Sequence, residues 1–291
     1  MRARRFFLLI YCLLLGFAGN VFPWGGLTHK AITRNAAHSV APDIRPFFVQ
    51  HETALCIRSV EPDTRRDDHP EEYPRHFIDI DYYGNYPFPE LPENYKAAVE
   101  KYGEETVLEY GVLPWRIAGC TDSLFAAMHA RNTEEIIRWA AWLGHYVADA
   151  HQPLHTVLNY DGQLTGNDGI HSRYESGMLR IYIDEYTFEQ RDVGTVKDPL
   201  ELAFEIVRES YLISPQVITA DNYATQPMEK SEVFALQEHY DNGRHSAYFA
   251  RLYSQTGDMT WQRLDLAASR LAALWNYAWQ RAGKPVLAPT D

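Results

Sequence analysis

Cysteine is scarce in this chain of 291 residues, which contains only Cys12, Cys56 and Cys120. This scarcity excludes a disulfide-rich scaffold. None of the three belongs to a CxxC pair, so a zinc site built on cysteine is excluded as well. Cys12 lies inside an apolar N-terminal run, which leaves Cys56 and Cys120 as the two thiols that can pair in an oxidising compartment. Their spacing does not require a disulfide, and both states stay open.

Long hydrophobic runs are also lacking. The longest, from Phe6 to Ala18, follows the basic start MRARR and is about thirteen residues long, whereas a membrane-spanning helix needs about 20. We therefore predict a signal peptide over residues 1–23, cleaved between positions 18 and 23, and export to the periplasm or the medium. An uncleaved membrane anchor is the alternative.

An excess of basic residues is absent, because 39 acidic residues outnumber 27 basic ones and the formal net charge is −12. Such a field repels polyanions at long range unless bound metal or a local basic patch reverses it. It slightly favours a lipid or a small phosphodiester over nucleic acid as a ligand.

No internal repeat or linker divides the chain, so we predict one domain over residues 24–282 and a flexible tail over residues 283–291. Apolar residues recur at helical spacing through most of it, and only Leu179–Tyr186 (LRIYIDEY) hints at a strand. In the last helix, one apolar stripe is typical of core packing; it consists of Leu264, Leu271, Leu274, Trp275 and Ala278. The predicted fold is all-α, a single-domain multi-helix bundle.

The strongest chemical motif is GHYVADAHQPLH. His145 and Asp149 are spaced i,i+4, so on a helix they share one face and can bind one ion. Pro153 then ends the helix, which lets His155 turn back toward the same cleft. Taken alone, a His-x3-Asp pair is more often a surface hydrogen bond than a metal site.

Four further signals change that balance. HSRYE repeats the spacing with His171 and Glu175, and the remaining motifs are PRHFIDID with His76, EPDTRR with Asp63, and WGGLTH with Trp24 and His29. Each has a structural reading, a satisfied buried histidine or a core tryptophan. Two i,i+4 pairs within about thirty residues, with a histidine between them, favour a shared zinc cluster because zinc accepts imidazole and carboxylate ligands.

This ordered series resembles the superfamily that unites bacterial zinc-dependent phospholipases C with the single-strand-specific nucleases of fungi and plants. RLAALWN near the C-terminus is similar to the superfamily's closing helix. The resemblance implies an all-helical fold with three Zn²⁺ ions at the base of a cleft, the ligands of which are carried over by position. It assigns Asp63, His76, His145 and Asp149 to the first ion, Asp149 as a bridge with His29 and the Trp24 backbone to the second, and His155, His171 and Glu175 to the third.

The chemistry implied is phosphodiester hydrolysis. A close pair of Zn²⁺ ions lowers the pKa of a shared water, and the resulting hydroxide attacks phosphorus. Asp149 would act as the bridging ligand, and Asp63 as a ligand or as a proton acceptor. The family's second ion also uses the free amine of an N-terminal Trp, which requires cleavage directly before Trp24; here Pro23 precedes it, and signal peptidases prefer small residues.

The substrate stays open between two enzyme classes. HSRYES and Asn159 look more like the phospholipase branch, whereas the short Trp24–His29 spacing and GVLPW look more like the nuclease branch. Phe77, Asp79 and Tyr82 are the predicted substrate-binding residues, because an aromatic ring can stack on a base or hold a choline headgroup. We expect a phospholipase C-like enzyme that acts on phospholipid, with a nuclease acting on single-stranded nucleic acid as the alternative.

A secreted zinc-binding protein without activity is a third reading, since metal sites can stabilise a fold. A full ligand set with a bridging carboxylate is more than such a role needs. No obligate protein partner is indicated, and we expect a monomer.

Overall fold

A computed structural model describes residues 25–238 and 246–287 of the chain. The predicted signal peptide and Trp24 lie outside these ranges. Within them every regular element is helical and no strand occurs, which confirms the all-α fold. None of the described helices is both long and apolar enough to cross a membrane.

The helices follow one another with short connections. In chain order they are α1 (Gly25–Ser39), α2 (Arg45–Gln50), α3 (Glu52–Arg58), α4 (Glu61–Arg65), α5 (Tyr95–Tyr102), α6 (Glu104–Glu109), α7 (Leu113–His129), α8 (Thr133–His151), α9 (Ile170–Ser172), α10 (Leu179–Tyr182), α11 (Pro199–Thr225), α12 (Lys230–Glu238) and α13 (Ser246–Arg281). Single turns of 3₁₀ helix occur at Pro70–Arg75, Ile80–Tyr83, Pro153–Thr156 and Ile183–Glu185, and a π-helix at Arg173–Met178 joins α9 to α10.

Helix α8 runs through the centre of the bundle, where it packs against α7, α13, α1 and α11. Its first turn is capped by Asn132, whose side chain accepts from the Glu135 N–H, and two glutamates complement the positive end of the helix dipole. From Ala140 to His151 every residue is buried, so polar side chains on this stretch face the interior. Any chemistry carried by the second half of α8 is therefore held in a rigid, water-poor setting.

The predicted core stripe of the last helix is confirmed. Its five residues are all buried, and Trp275 stacks on Phe48 with ring centroids 4.4 Å apart. The stripe extends across α13, which is continuous from Ser246 to Arg281 and forms one wall of the bundle. Ridges of apolar side chains at helical spacing dictate this packing.

Two sequence expectations differ from the structure. Leu179–Tyr186 is not a strand. It forms α10 and a 3₁₀ turn, which continue the helical path of the preceding π-helix. The predicted tail packs back at least to Leu287, which is buried in the core, and the Trp279 indole donates to the Pro285 carbonyl over 3.0 Å. Cys56 and Cys120 are both buried and not bonded to each other.

Candidate metal centre

The first group of ligating atoms joins α4, the chain after it, and α8. Four atoms converge, namely Asp63 Oδ1, His76 Nδ1, His145 Nε2 and Asp149 Oδ2. The two imidazole nitrogens are 2.9 Å apart, and Asp149 Oδ2 lies 3.0 Å from His76 Nδ1 and 3.2 Å from His145 Nε2. Asp63 Oδ1 lies 3.7 Å from His76 Nδ1 and 3.6 Å from His145 Nε2. All four side chains are buried.

These separations fit a tetrahedral zinc ion. Ligand bonds of about 2.0–2.1 Å place neighbouring ligand atoms about 3.3 Å apart, close to the 2.9–3.7 Å found here. Hydrogen bonds alone leave the site incompletely satisfied. Asp63 Oδ2 and Asp149 Oδ1 are buried and make no hydrogen bond to any described residue, and unpaired buried carboxylate oxygens are costly without a cation. The donor set therefore suits Zn²⁺ in chemistry as well as in spacing.

The histidine rings are oriented by backbone carbonyls. His145 Nδ1 donates to the Ser59 carbonyl over 2.8 Å, His155 Nδ1 to the His76 carbonyl over 2.7 Å, and His171 Nδ1 to the Tyr160 carbonyl over 3.0 Å. A proton fixed on Nδ1 leaves the Nε2 lone pair of each neutral ring available for a metal. The chain thus presets the tautomer that ligation requires.

The second group adds α1 to the site. His29 Nε2 lies 3.6 Å from Asp149 Oδ1, and the His29 ring stacks on His145 with centroids 4.1 Å apart. Asp149 therefore directs one oxygen to the first group and the other toward His29, which is the arrangement a bridging carboxylate needs. Trp24, the remaining expected ligand of this group, lies just before the described residues.

The third group lies on the 3₁₀ turn after α8, on α9 and on the π-helix. Glu175 Oε2 is 3.4 Å from His155 Nε2 and 3.2 Å from His171 Nε2, and Gln152 donates to the same oxygen over 2.9 Å. Glu175 Oε1 is buried without a hydrogen bond to any described residue. The structure thus brings each predicted ligand that it describes into one of three groups, which are His29–His145–Asp149, Asp63–His76–His145 and His155–His171–Glu175.

The groups are tied to one another through the main chain. Besides the bond from His155 Nδ1 to the His76 carbonyl, the Ile78 N–H donates to the His155 carbonyl over 2.9 Å. Two backbone-anchored bonds therefore connect a ligand of the first group to a ligand of the third.

Charge at the site is strongly coupled. Burial lowers the pKa of His145, but the carboxylates of Asp149 and Asp63 outweigh it and raise the pKa to about 9. Burial raises the pKa of Asp149, yet His145 and His155 hold it well below the usual range of an aspartate. His29, by contrast, has its pKa lowered to about 3 by burial and by His145. The carboxylates thus stabilise positive charge at this point, which is also what a cation needs.

Asp63 differs from Asp149. Burial raises its pKa to about 7, and the negative charge of Asp149 adds to the shift against the opposing effect of His145. A carboxyl group with a pKa near neutrality can accept or release a proton.

The three predicted substrate residues line the chain beyond His76. Phe77 is half-buried and packs edge-on against Tyr73, and Tyr82 is exposed and stacks on Tyr110 at 3.5 Å between centroids. Asp79 is buried, and burial together with the charge of Asp81 raises its pKa to about 7.

Gly111 allows its segment of the main chain to pass close to Phe77. Its φ is +89°, and a Cβ atom there would lie 2.1 Å from the Phe77 carbonyl oxygen. Only glycine allows this approach.

Sequence reasoning missed three neighbours of the ligands. Arg66 Nη2 lies 3.2 Å from Asp63 Oδ1, which the i,i+3 spacing of EPDTRR could have indicated. Tyr146 and Glu72 form a buried hydrogen bond behind His76 and His145, and no sequence signal predicts that pair.

Comparisons with known proteins bear on the whole arrangement. A family model described as S1/P1 Nuclease matches residues 24–280. The chain is also similar to a probable serine protease of Bradyrhizobium tropiciagri, with 23% identity over 190 residues that cover 59% of this chain and 24% of that protein. The chain thus spans about a quarter of the length of this curated relative.

Proposed function

The chain belongs to the S1/P1 nuclease family, a family of phosphodiester hydrolases, and we propose on that premise that it is a zinc-dependent nuclease acting on single-stranded nucleic acid. The observation that carries the proposal is the buried shell of four ligating atoms from Asp63, His76, His145 and Asp149 at separations typical of zinc ligands. A site for structural stability alone would not need a carboxylate shared between two groups.

Each side chain has an assigned task. Zinc held at the three groups would supply an activated water and neutralise charge on the phosphate. His145, His155 and His171 donate from Nδ1 to carbonyls, which leaves Nε2 of each ring as the atom directed to a metal position. Asp149 stays ionised and spans two groups, and Arg66 places a cation beside Asp63 that can offset the charge of a phosphodiester.

Asp63 is assigned a second task besides ligation. The buried Asp63 Oδ2 makes no hydrogen bond to a described residue, so this oxygen can receive the proton that a water molecule loses on attack and pass it to solvent. No other side chain is assigned as the proton acceptor.

Nucleic acid is preferred to phospholipid on two grounds. The family match supports the alternative substrate over the phospholipase C-like one that the sequence motifs favoured. The aromatic side chains after His76 offer flat surfaces for unpaired bases; Phe77 is half-buried, and the Tyr82–Tyr110 pair is exposed on one face. A paired duplex hides its bases, so we expect the enzyme to prefer single strands.

One comparative assay tests the proposal. Purified protein is incubated with single-stranded DNA, RNA, duplex DNA and phosphatidylcholine vesicles, with and without a chelator, and its zinc content is measured by elemental analysis. We expect two to three zinc ions per chain, cleavage of the single-stranded substrates, and loss of cleavage with chelator that zinc restores. Release of diacylglycerol without nucleic-acid cleavage would return the function to the phospholipase class, and a zinc content of one or none would remove the mechanism.

A further inference from the structure

A polar cavity lies between α3, α4 and the first half of α8, near the metal groups. Its volume is about 370 Å³, and we name it the arginine pocket after three of the residues that line it; its walls are formed by Arg58, Glu61, Thr64, Arg65, Glu134, Arg138 and Trp142. The mechanism proposed above uses none of these side chains.

The charge of the arginine pocket is opposite in sign to that of the chain. Three guanidinium groups face two carboxylates, within a protein of net charge −12. Both carboxylates are engaged, because Glu134 pairs with Arg58 and Glu61 accepts the Trp142 indole N–H over 2.8 Å. The other two guanidinium groups also have carboxylate partners, since Arg138 pairs with Glu135 and Arg65 Nε lies 3.7 Å from Glu72 Oε2. Within the lining itself three arginines outnumber two glutamates.

The Arg65 guanidinium is oriented so that it can bind an anion. It lies over the Trp142 ring at 4.8 Å, which fixes its plane. No hydrogen bond joins that guanidinium to any described residue; Glu72 Oε2, its nearest carboxylate oxygen, lies 3.7 Å from Nε. A planar, stacked guanidinium with unsatisfied N–H groups is the side chain best suited to bind phosphate oxygens in pairs.

Arg138 adds a second cation on the same indole. Its guanidinium lies 5.9 Å from the Trp142 ring, and its Nε makes no hydrogen bond within the described ranges, although Nη2 pairs with Glu135. Two guanidinium groups therefore lie against one indole, Arg65 with Glu72 and Arg138 with Glu135 as the nearest acidic partners.

The arginine pocket shares its walls with the metal centre. Arg65 follows the ligand Asp63 by two residues on α4, and Trp142 precedes His145 by three residues on α8. A rise of 1.5 Å per residue places the Trp142 backbone about 4.5 Å and the Arg138 backbone about 10 Å along the helix from His145. A molecule bound at the metal groups and an anion in the pocket are thus close enough to belong to one ligand.

We propose that the arginine pocket binds a phosphate group other than the one that is hydrolysed, with Arg65 as its principal ligand. The proposal rests on the nuclease function for its biological sense. The phosphate is carried either by a nucleotide elsewhere on the same strand or by a free product or inorganic phosphate, and both present the same oxygens to the guanidinium groups. The pocket supplies the local basic patch that lets an acidic chain hold a polyanion.

Direct binding is tested first, without reference to hydrolysis. Zinc-loaded protein is titrated with inorganic phosphate by calorimetry, with Arg65→Gln, Arg65→Lys and Arg251→Gln beside the wild type. Arg251 is the matched control because its guanidinium also lies over an aromatic ring, Tyr223 at 4.2 Å, but it does not line the arginine pocket.

We expect two phosphate sites in the wild type and in Arg251→Gln. In Arg65→Gln one of them should weaken about tenfold or more, as the loss of a charge-assisted hydrogen bond predicts. Arg65→Lys, which keeps the charge but not the paired geometry, should lie between the two. Equal stoichiometry and affinity in the wild type and Arg65→Gln would overturn the proposal, whether or not the protein cleaves nucleic acid.

The source of the phosphate is separated by substrate length. The ratio kcat/KM is measured for a dinucleotide and for an eight-nucleotide single strand. If the strand supplies the phosphate, the ratio of kcat/KM for the eight-nucleotide strand to that for the dinucleotide is high in the wild type and falls in Arg65→Gln, with each protein compared with its own dinucleotide rate. If the longer substrate gains nothing from Arg65 although phosphate binding depends on it, the ligand is free phosphate. Failure of all nucleic acids as substrates would instead refute the proposed function and leave the phosphate titration standing.

Discussion

The bond between Tyr146 and Glu72 offers a quantitative test of how the first ligand group is held. Both residues are fully buried, and the Tyr146 hydroxyl donates to Glu72 Oε1 while Arg116 donates to the hydroxyl over 3.3 Å. Arg75 donates to the other carboxylate oxygen over 2.8 Å. Tyr146→Phe removes one hydroxyl and leaves Glu72 with Arg75 as its hydrogen-bond partner, while the Arg65 guanidinium stays 3.7 Å from the same oxygen.

The expected loss of stability is moderate. A hydrogen bond to a charged group contributes about 1.5–3 kcal/mol net, and the remaining arginine places this case near about 2 kcal/mol. In a domain of this size, 1 kcal/mol shifts Tm by about 2–4 °C. We therefore expect Tm to fall by about 4–8 °C.

A loss of zinc should accompany the loss of stability. Tyr146 directly follows His145, its ring centroid lies 5.6 Å from that of His76, and Glu72 lies in the 3₁₀ turn that leads to His76. Without the bond, both imidazoles lose a support, and changes of this kind weaken metal affinity by about 10–100-fold. Competition with a chromogenic chelator measures that affinity, and calorimetry measures Tm.

The matched control is Tyr186→Phe. The Tyr186 hydroxyl donates to Asp265 over 2.6 Å, so the same kind of bond is lost at a place with no metal ligand. The control should lower Tm and keep wild-type zinc affinity. Retention of wild-type zinc affinity in Tyr146→Phe as well would show that the buried pair supports the fold alone.

Three further outcomes are expected. Asp149→Asn should abolish hydrolysis and reduce zinc content while circular dichroism stays close to wild type, because one carboxylate is shared by two groups; full turnover of an aryl phosphodiester would disprove the bridging assignment. Glu175→Gln should release one zinc ion selectively, which elemental analysis detects, and an unchanged zinc content would make Glu175 a hydrogen-bond partner only. Asp79, with its pKa raised from 3.8 to about 7, binds a proton more tightly in the folded than in the unfolded state, so its stabilising contribution is present at acidic pH and lost as pH rises from about 4 to 7. Asp79→Asn should consequently have a higher Tm than wild type at pH 8 and a similar one at pH 4, and a lower Tm at pH 8 would contradict the burial argument.

The sequence contains enough to predict the helices and the described ligands, for a physical reason. Both depend on local spacing, since an apolar stripe and a His-x3-Asp pair are read at the same period of 3.6 residues. A break inside a helical stretch is harder to predict, as at Gly103, whose φ of +84° separates α5 from α6.

Features that depend on contacts between distant segments could not be predicted. Tyr146 and Glu72 are 74 positions apart, and the carbonyls that orient the ligand histidines lie on other elements. The strand suggested by LRIYIDEY was wrong. Apolar and polar residues that alternate over only a few positions are also compatible with a helix that lies next to buried residues. The arginine pocket arises from two short helices, α3 and α4, and the first half of α8, which only the folded chain places side by side.

Two hydrogen bonds join the His76 and His155 segments, one from the His155 ring to a carbonyl and one between main-chain groups, and they have a consequence for metal choice. These two hydrogen bonds, and not the ion, set the distance between the ligand positions at His76 and His155. The site is therefore nearly preformed before a metal binds. An ion such as Ca²⁺, which takes six to eight oxygens at about 2.3–2.6 Å, would have to spread this frame and break those bonds. If zinc is the bound ion, as proposed, these hydrogen bonds would favour it over a larger cation that prefers oxygen ligands.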